Sequence, residues 1–495
     1  MSKIIIQNGN MCELDLPLKF AQKLYNEFAI RHPNAFYLRT RQRGMQNWDG
    51  KIHYITKTGQ FKIGLLPKVY DMCIEMGIKP KVVDMRQPLP KVSKVVTNIG
   101  KYKLRPEQEK AVKAVINNKI GNTPFHIGVL DYTVNAGKTL IMSSLYLSYK
   151  KQLKTLLITN DSDWLNQARE EFKQYLPGED ITFVQGKVLN WSNFTIGMVQ
   201  SISRNMRFYQ KELSQIDMVL IDEADQGGSK QYQNVITRLF NTRIRIGLSG
   251  TIYMSKLAKD RVKNMNLECF FGKVLAEFKL KDSIKKGYST KTVVKMVPGK
   301  PWYGNWESDC ISYKEIYDDS ITNCYTAWLM AYNRLLWNLN QGRYPALVVC
   351  KHIAHCENLY KFFKKKLGDA YNIAYVHVNT SSKLRQQIMK DFREGKIDIL
   401  VSTTIIARGK NFPKLRYLLN AASMDSQEKS IQFLGRLVRT DKSKKKVYLD
   451  DLHYPGNYLD RHGKHRKQYY QRQELKVILL DKLWKKHPNH SLIKS

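Results

Sequence analysis

The sequence predicts an α/β protein with two parallel-sheet domains in tandem, a small α+β domain before them and a short basic extension after them. Three observations carry this expectation. Short apolar or β-branched runs occur in two series, helix-compatible stretches separate some of the runs, and breaks in composition bound each series. The first series is FHIGVL (125–130), TLLIT (155–159), DMVLI (217–221) and RIRIGLS (243–249). The second is ALVVC (346–350), NIAYVHV (372–378), IDILVS (397–402) and KVYLD (446–450). Strands that alternate with helices build parallel sheets covered on both faces, and two such series imply two units. The breaks are a Pro- and Ser-containing stretch at 85–100, a passage at 285–305 that ends rich in Gly and Pro, and a charged turn, TDKSKKK, at 440–446. The expected domains are 1–92, 93–285, 286–450 and 451–495, the last packed on or extending the one before it,.

With 495 residues, 43% hydrophobic and 25% charged, the chain has globular composition and ample material for a large core,. That excludes a small disulfide scaffold and disorder throughout. Charge narrows the function: 82 Lys and Arg against 43 Asp and Glu leave +39. A chain this basic most often meets a polyanion, usually nucleic acid; a generally solvated basic surface is the alternative. The excess is spread out, with 16 basic and 7 acidic residues in 1–100, and 14 and 6 in 441–495. Seven cysteines (12, 73, 269, 310, 324, 350, 356) without regular spacing read as free thiols in a reducing compartment,. No apolar run approaches ~18 residues, so no membrane span is expected. The opening MSKIIIQNGNMCELD soon turns acidic, so no signal peptide is expected either, and the expected location is the cytoplasm,.

In chain order, the first candidate is NWDGK (47–51), where Asn and Asp before Gly read as a tight turn between strands,. Arg39, Arg41, Arg43 and Lys51 flank it, with Tyr37, Trp48 and Tyr54. That suits a hairpin with a basic edge or a duplex- or junction-binding face. Next, Arg105 and Gln108 in LRPEQEKAV open a helix after a Pro turn. An amide there can read both donor and acceptor on adenine. Asn135, Ala136, Gly137, Lys138 and Thr139 follow a strand and open the apolar helix TLIMSSLYLSY. This is the back half of a phosphate-binding loop. N–H groups at the helix start face the anion, Gly137 permits close approach, Lys138 reaches the β/γ-phosphates and Thr139 can ligate Mg²⁺. The strict pattern G-x-x-x-x-G-K-[ST] fails at its first position, Tyr132, and these residues alone would equally fit an ordinary helix start.

Asp222-Glu223-Ala224-Asp225 ends the run DMVLI, 84 residues beyond Lys138. A carboxylate at the tip of a buried parallel strand suits a nucleotide metal site. Asp222 would hold Mg²⁺, and Glu223 would orient and deprotonate the attacking water; an acidic loop capping a helix is the plainer alternative. Cys350, His352, His355 and Cys356 straddle a strand end and a helix start. Zinc ligands usually come as two separated pairs, so packing is their expected role. Gln432, Gly435, Arg436 and Arg439 lie on the expected helix SIQFLGRLVR, where Arg436 and Arg439 share a face,. Arginine on a γ-phosphate stabilises transition-state charge, a factor of about 10³–10⁵ in other NTPases. A basic helix gripping nucleic acid or a carboxylate is the alternative. In RHGKHRKQYYQRQ, His462, His465, Tyr469 and Tyr470 suit a phosphate-gripping surface with rings for stacking, or a solvated helix face,.

The ordered set resembles a superfamily 2 helicase. Its carriers are RPEQ (105–108), AGKT (136–139), QS (200–201), DEAD (222–225), GLSGT (247–251), RGKNFP (408–413) and QFLGRLVR (432–439). The resemblance implies two RecA-like domains that clamp ATP between them and track along a nucleic-acid strand. It places Lys138, Thr139, Asp222 and Glu223 on the first domain, with Gln432, Arg436 and Arg439 completing the site from the second. It assigns Arg105, Gln108, Asn135, Ala136, Gly137, Gly409 and Asn411 to the nucleotide. Gln200, Ser201, Ser249, Gly250, Thr251, Lys351 and Thr403 go to strand contact and coupling, with Trp48 and Lys51 added from the N-terminal domain. Asn411 stands where Asp is common. Asn160 and Asp161 stand where the pattern has Pro and Thr, and Asp161 or Ser162 reads there as the N-cap of the following helix,.

The DEAD tetrapeptide also resembles the DEAD-box RNA helicases. However, NDSDWLNQ (160–167) is not a PTREL-type segment, and Gln432 replaces that group's His-Arg pair. The sequence is more similar to the DNA-translocating branches. GMQNWDGKIHYI (44–55), FFGKVLAEFKLKDSIKKGYST (270–290) and VVCKHIAHCENLY (348–360) resemble the phage recombination helicases that remodel forks, Holliday junctions and R-loops. The resemblance implies ATP and Mg²⁺ as cofactors. It implies branched, duplex and single-stranded DNA as partners, RNA–DNA hybrids as a further candidate, and a monomer. An RNA helicase, or a basic annealing protein with a degenerate ATPase site, are the alternatives.

Overall fold

The computed structural model describes residues 2–42, 44–149, 152–186, 190–253, 260–299, 312–407 and 412–480. The chain divides into two compact units, Met1–Phe278 and Lys279–Ser495. The first unit begins with β1 (Lys3–Ile6), β2 (Met11–Asp15), β3 (Ala29–Arg31), β4 (Lys51–His53), β5 (Gln60–Lys62) and β6 (Lys81–Asp84). Four two-residue strands come next: β7 (Asn98–Ile99), β8 (Tyr102–Lys103), β9 (Lys119–Ile120) and β10 (Thr123–Pro124). Then come β11 (His126–Tyr132), β12 (Thr155–Thr159), β13 (Ile181–Val184), β14 (Phe194–Met198), β15 (Met218–Asp222), β16 (Ile244–Ser249) and β17 (Val274–Phe278).

Among the described residues, β11 to β17 form one wholly parallel sheet in the order β13-β14-β12-β15-β16-β11-β17. Every residue of β11, β12, β15 and β16 is buried, which is why these strands read as continuous apolar runs,. A second sheet, β5-β2-β1-β6, pairs β1 antiparallel to β2 and parallel to β6. Its inward residues Ile4, Ile6, Cys12 and Leu14 share one core with Leu239 and Phe271 of the parallel-sheet layer. The expected domain at 1–92 is therefore fused to the first parallel-sheet domain.

Arg245 makes the joint. It is fully buried on β16 and donates to the Gly9 carbonyl at 2.6 Å, to Asn10 Oδ1 at 2.8 Å and to the Phe270 carbonyl at 3.1 Å. Burial pushes its pKa down to about 9,. The expected linker at 85–100 is a strap. Val96 accepts from Ser144 Oγ at 2.6 Å and donates to Ser148 Oγ at 3.0 Å, which ties it to the Lys138–Ser148 helix.

The second unit holds β18 (Lys291–Pro298), β19 (Ala346–Cys350), β20 (Ile373–Val376), β21 (Ile399–Thr403), β22 (Tyr417–Asn420), β23 (Lys446–His453) and β24 (Val477–Leu479). These too form a parallel sheet, in the order β20-β21-β19-β22-β23-β18-β24. Two sequence expectations change here. The strand β18 lies inside the passage read as a break. The Leu280–Lys285 helix belongs to this unit, so the division expected at 285/286 falls at 278/279. Residues 451–480 are integral to this unit: β23 runs on to His453, the Asn457–Arg472 helix comes after it, and β24 joins the sheet beside β18.

Arg466 explains why that helix is integral. It is fully buried and grips Asp451 through Nε at 2.9 Å and Nη2 at 2.8 Å. Asn420 and Tyr470 donate to the same carboxylate at 2.8 Å each. Tyr469 and Tyr470 are buried, so they are not rings free for stacking. His355 is also interior: it faces the Tyr317 hydroxyl at 3.0 Å, and burial lowers its pKa to about 3. The six described cysteines are buried free thiols, and Cys310 lies outside the described residues. Among the described residues no helix is long and apolar enough to cross a membrane.

Candidate nucleotide site and nucleic-acid interface

In the first unit β12, β15, β16 and β11 are neighbours, and their ends align. Ile158 pairs with Ile221, Asp222 with Leu248, and Ser249 with Asp131. The chain thus leaves the sheet at four adjacent points, after Tyr132, Thr159, Asp222 and Ser249. Carboxyl ends of parallel strands are where open α/β sheets meet ligands. Here they carry Asn135–Thr139, Asn160–Asp161, Asp222–Asp225 and Gly250–Thr251, so topology alone gathers four separate motifs.

Tyr132 stands at the first position of the strict loop pattern because it completes a strand. It is fully buried, and its hydroxyl donates to the Glu107 carbonyl at 2.7 Å. The turn then uses Asn135 (φ 64) and Gly137 (φ 72) in the left-handed region. Gly137 is required twice over, because a Cβ there would also overlap Gln108 Nε2,. Gln108 is buried, accepts from the Arg105 amide at 2.8 Å and donates to the Ala136 carbonyl at 2.8 Å. Its amide thereby shapes the loop.

Asp222 is buried, and burial raises its pKa above the ordinary carboxylate value; Lys138 pulls it back, while Asp225 and Asp161 push it further up. Asp222 Oδ1 has no hydrogen-bond partner, and neither has the side-chain amide of Asn135. A buried carboxylate oxygen without a donor, beside a lysine at a helix start, is a seat for a cation that arrives with an anion. The Asp222 carboxylate and the Thr139 hydroxyl are the hard oxygen donors that Mg²⁺ takes alongside phosphate. The residues therefore fit a magnesium nucleotide. Among the described residues, no three His, Cys, Asp or Glu side chains gather as a resident metal site.

Two hydrogen-bonded lines lead away from the acidic tetrapeptide. Along the first, Gln226 Nε2 donates to Glu223 Oε2 at 3.5 Å, Asn160 Nδ2 donates to Gln226 Oε1, and Gln200 Nε2 donates to the Asn160 carbonyl at 3.3 Å. Along the second, Ser249 Oγ donates to Asp225 Oδ1 at 2.7 Å and accepts from the Thr251 amide at 3.0 Å. Gly250 lets this segment pass the end of β11, where a Cβ would sit 3.1 Å from the Tyr132 carbonyl oxygen. Ser201 instead steadies a loop, accepting from the Gly186 amide at 2.9 Å. Asp161 caps the Ser162–Tyr175 helix by accepting from the Trp164 amide at 3.1 Å. Gln226 and Asp225 escaped the sequence reading as linking residues. Their one signal was position, polar groups at the end of a buried strand.

In the second unit Gln432 and Arg436 lie one turn apart on the Gln427–Leu437 helix. Arg439 does not share that face. The helix stops at Leu437 with Val438 as C-cap, and the Arg439 carbonyl accepts from Thr290 Oγ1 at 3.1 Å. Cys350 pairs with Thr403, which puts Lys351 and Thr403 at one carboxyl edge of the sheet. The Lys351 ammonium lies over the Tyr313 ring at 3.9 Å, and burial, then Lys429, lowers its pKa. Gly409 and Asn411 lie outside the described residues. At the other end of the chain β3 and β4 pair antiparallel, but the Ala35–Arg41 helix lies between them, so NWDGK is not a tight turn joining two strands. Trp48 Nε1 donates to the Lys51 carbonyl at 2.9 Å, and Lys51 is exposed.

Residues 101–254 match the family described as type III restriction enzyme, res subunit, and residues 329–441 match the helicase conserved C-terminal domain. The ATP-dependent DNA helicase uvsW of Enterobacteria phage T4 is 21% identical over 495 residues, covering 88% of this chain and 90% of its own. A sequence from Sulfolobus islandicus filamentous virus (isolate Iceland/Hveragerdi) is 23% identical over 385 residues. That match covers 71% of this chain and 64% of the viral one, just under two thirds of its length. Among solved structures, S. cerevisiae Dbp5 bound to RNA and ADP BeF3 has a TM-score of 0.52 at 14% identity, over 78% of this chain and 92% of its own. The two family matches fall in the order of the motifs and over the two parallel sheets that carry them: the chain is a helicase of the superfamily 2 type, similar to UvsW.

Proposed function

We propose that the chain is an ATP-hydrolysing motor that translocates on DNA and remodels forks, Holliday junctions and R-loops in phage recombination, repair and replication. One observation carries the reading: buried Asp222 stands against Lys138 at a phosphate-type loop, and Glu223 of the same motif is tied through Gln226 to Asn160 and Gln200. A motor needs a phosphate site and a mechanical link from it, and these residues supply both.

In this reading Lys138, Thr139 and Asp222 would hold a magnesium nucleotide, whose ion would supply neutralisation of phosphate charge. Glu223 orients the attacking water and takes its proton. Gln432, Arg436 and Arg439 of the second domain stabilise the charge that develops on the γ-phosphate. Arg105 and Gln108 hold the loop in shape and meet the nucleotide, with Gly409 and Asn411 completing its contacts. Gln200, Ser201, Thr251, Lys351 and Thr403 face the strand. DNA is favoured over RNA by the segments at 160–167 and 432–439 and by the similarity to a relative named as a DNA helicase. The fold itself favours neither polymer, since Dbp5 shares it.

The test is ATP turnover with single-stranded DNA, duplex, a four-way junction, an R-loop and RNA as separate effectors at one salt concentration. Branched or single-stranded DNA should stimulate turnover, and Lys138→Ala should abolish it while leaving DNA binding largely intact. Stimulation by RNA alone would refute the DNA reading. No turnover with any effector would leave a basic annealing protein.

A further inference from the structure

The Ala35–Arg41 helix presents two rings to solvent. Phe36 is 80% exposed and Tyr37 is 53% exposed. The frame beneath them is fixed. Ala35 is buried, and a Cβ on Gly50 would come within 3.1 Å of its methyl group. His32 donates its amide to the Gly50 carbonyl at 2.8 Å, and Ala35 donates to the His32 carbonyl at 3.0 Å. Trp48 meets the His32 ring edge-on at 5.8 Å. The Arg41 guanidinium lies over the Tyr37 ring at 4.6 Å and donates to its hydroxyl at 3.1 Å, which holds that ring in place.

Charge says what the rings meet. Residues 29–53 contain Arg31, Arg39, Arg41, Arg43 and Lys51 against one acid, Asp49. Asp49 is already engaged by His53 at 2.7 Å and by the Lys51 amide at 2.9 Å. Two exposed rings in so basic a segment, one of them under the Arg41 guanidinium, are a poor apolar face for a protein. They suit a nucleotide, whose base offers a π face and whose phosphate offers the anion. Duplex DNA hides its base faces in the stack. We infer that Phe36 and Tyr37 form a stacking site for unpaired bases of DNA, seated on the N-terminal part of the first unit. The inference rests on the nucleic-acid motor reading and adds to it a contact that selects separated strands.

The test uses the full chain, a single-stranded DNA oligonucleotide containing 2-aminopurine, a blunt duplex and an RNA strand of the same sequence. Removing a ring that stacks on a base weakens binding about 5- to 150-fold. Phe36→Ala should lose affinity for the single strand in that range, lose the dimming of 2-aminopurine, and bind the duplex as before. Phe36→Trp should retain both. Thermal unfolding of Phe36→Ala should match the parent, because the ring is exposed. Equal binding by parent and Phe36→Ala, or equal loss on single strand and duplex, would overturn the stacking site. DNA-stimulated ATP turnover in the parent would then leave the motor reading standing. A parent without stimulated turnover that still needs Phe36 for single strands would refute the motor and keep the site. Loss confined to the RNA strand would overturn the assignment to DNA.

Discussion

Burying a carboxylate costs free energy unless cations or donors offset it, and around Asp222 the fold sets the Lys138 ammonium and a hydrogen bond from the Glu223 backbone against burial and two further carboxylates,. Its pKa is raised, so above pH 3.8 the folded chain binds more protons at this site than the unfolded chain does. The group's contribution to stability is complete below the unfolded pKa and is lost as pH rises through the folded one. Asp222→Asn removes that cost. The ligand-free variant should melt higher than the parent at neutral pH, by about 1 kcal/mol or roughly 2 °C, and should hydrolyse no ATP. Calorimetry with and without magnesium nucleotide checks both halves: the parent should gain stability from the ligand and the variant should not. A variant that melts lower would mean that Asp222 is held by donors and not strained. Gln226 calls for a different readout. If it carries the link from Glu223 towards Gln200, Gln226→Ala should keep basal turnover and lose about tenfold of the stimulation by DNA. An equal fall in both rates would make Gln226 only a support for Glu223. Lys138 and Asp222 were legible in sequence because residue type states their chemistry. The protein partners of Gln108 and Gln226 were not, because an amide gives no sign of which distant carbonyl or carboxylate it will meet.

Among the elements, strands buried on both faces were the most legible. β11, β12, β15, β16, β19 and β21 all fall on apolar runs read from the sequence. β18 was hidden by the glycines and prolines that come after it. The Asn457–Arg472 helix was hidden for a deeper reason: its inward face carries Arg466, His462 and Tyr470, and charge in a sequence looks like solvent. A buried ion pair adds little when intact but is costly to break. Arg466→Ala would leave Asp451 buried without its cation, and should cost about 3–5 kcal/mol. Ending the chain after residue 450 removes Asp451, Arg466 and β24 together, so the second unit should lose its cooperative transition in urea. If the shortened chain kept the parent's midpoint, residues 451–480 would be an appendage after all. A double variant, Asp451→Asn with Arg466→Met, should recover most of the loss, because it removes both charges at once.

The charge of the whole molecule sets affinity without setting sequence preference, since contacts to phosphate position a protein but carry no base information. An excess of +39 is spread over both units, with +9 in residues 1–100 and +8 in 441–495. Binding to duplex should therefore be dominated by counterion release, with a slope of log affinity on log salt of about −0.9 per phosphate neutralised, against about −0.7 on a single strand. A footprint of roughly 6–10 phosphates would lose about 10³–10⁵ in affinity between 50 and 200 mM salt. Single strands should keep a residual affinity at high salt that duplex lacks, because stacking on Phe36 and Tyr37 releases no counterions. Lys138→Ala should leave both slopes unchanged. Its ammonium stands against Asp222 at the nucleotide loop, so it does not count among the phosphate contacts of the polymer. Fluorescence anisotropy across a salt series, on parent and variant, separates these terms. A slope shallower by about one unit in Lys138→Ala would place that lysine on the polymer, and the phosphate loop would then belong to the strand and not to ATP.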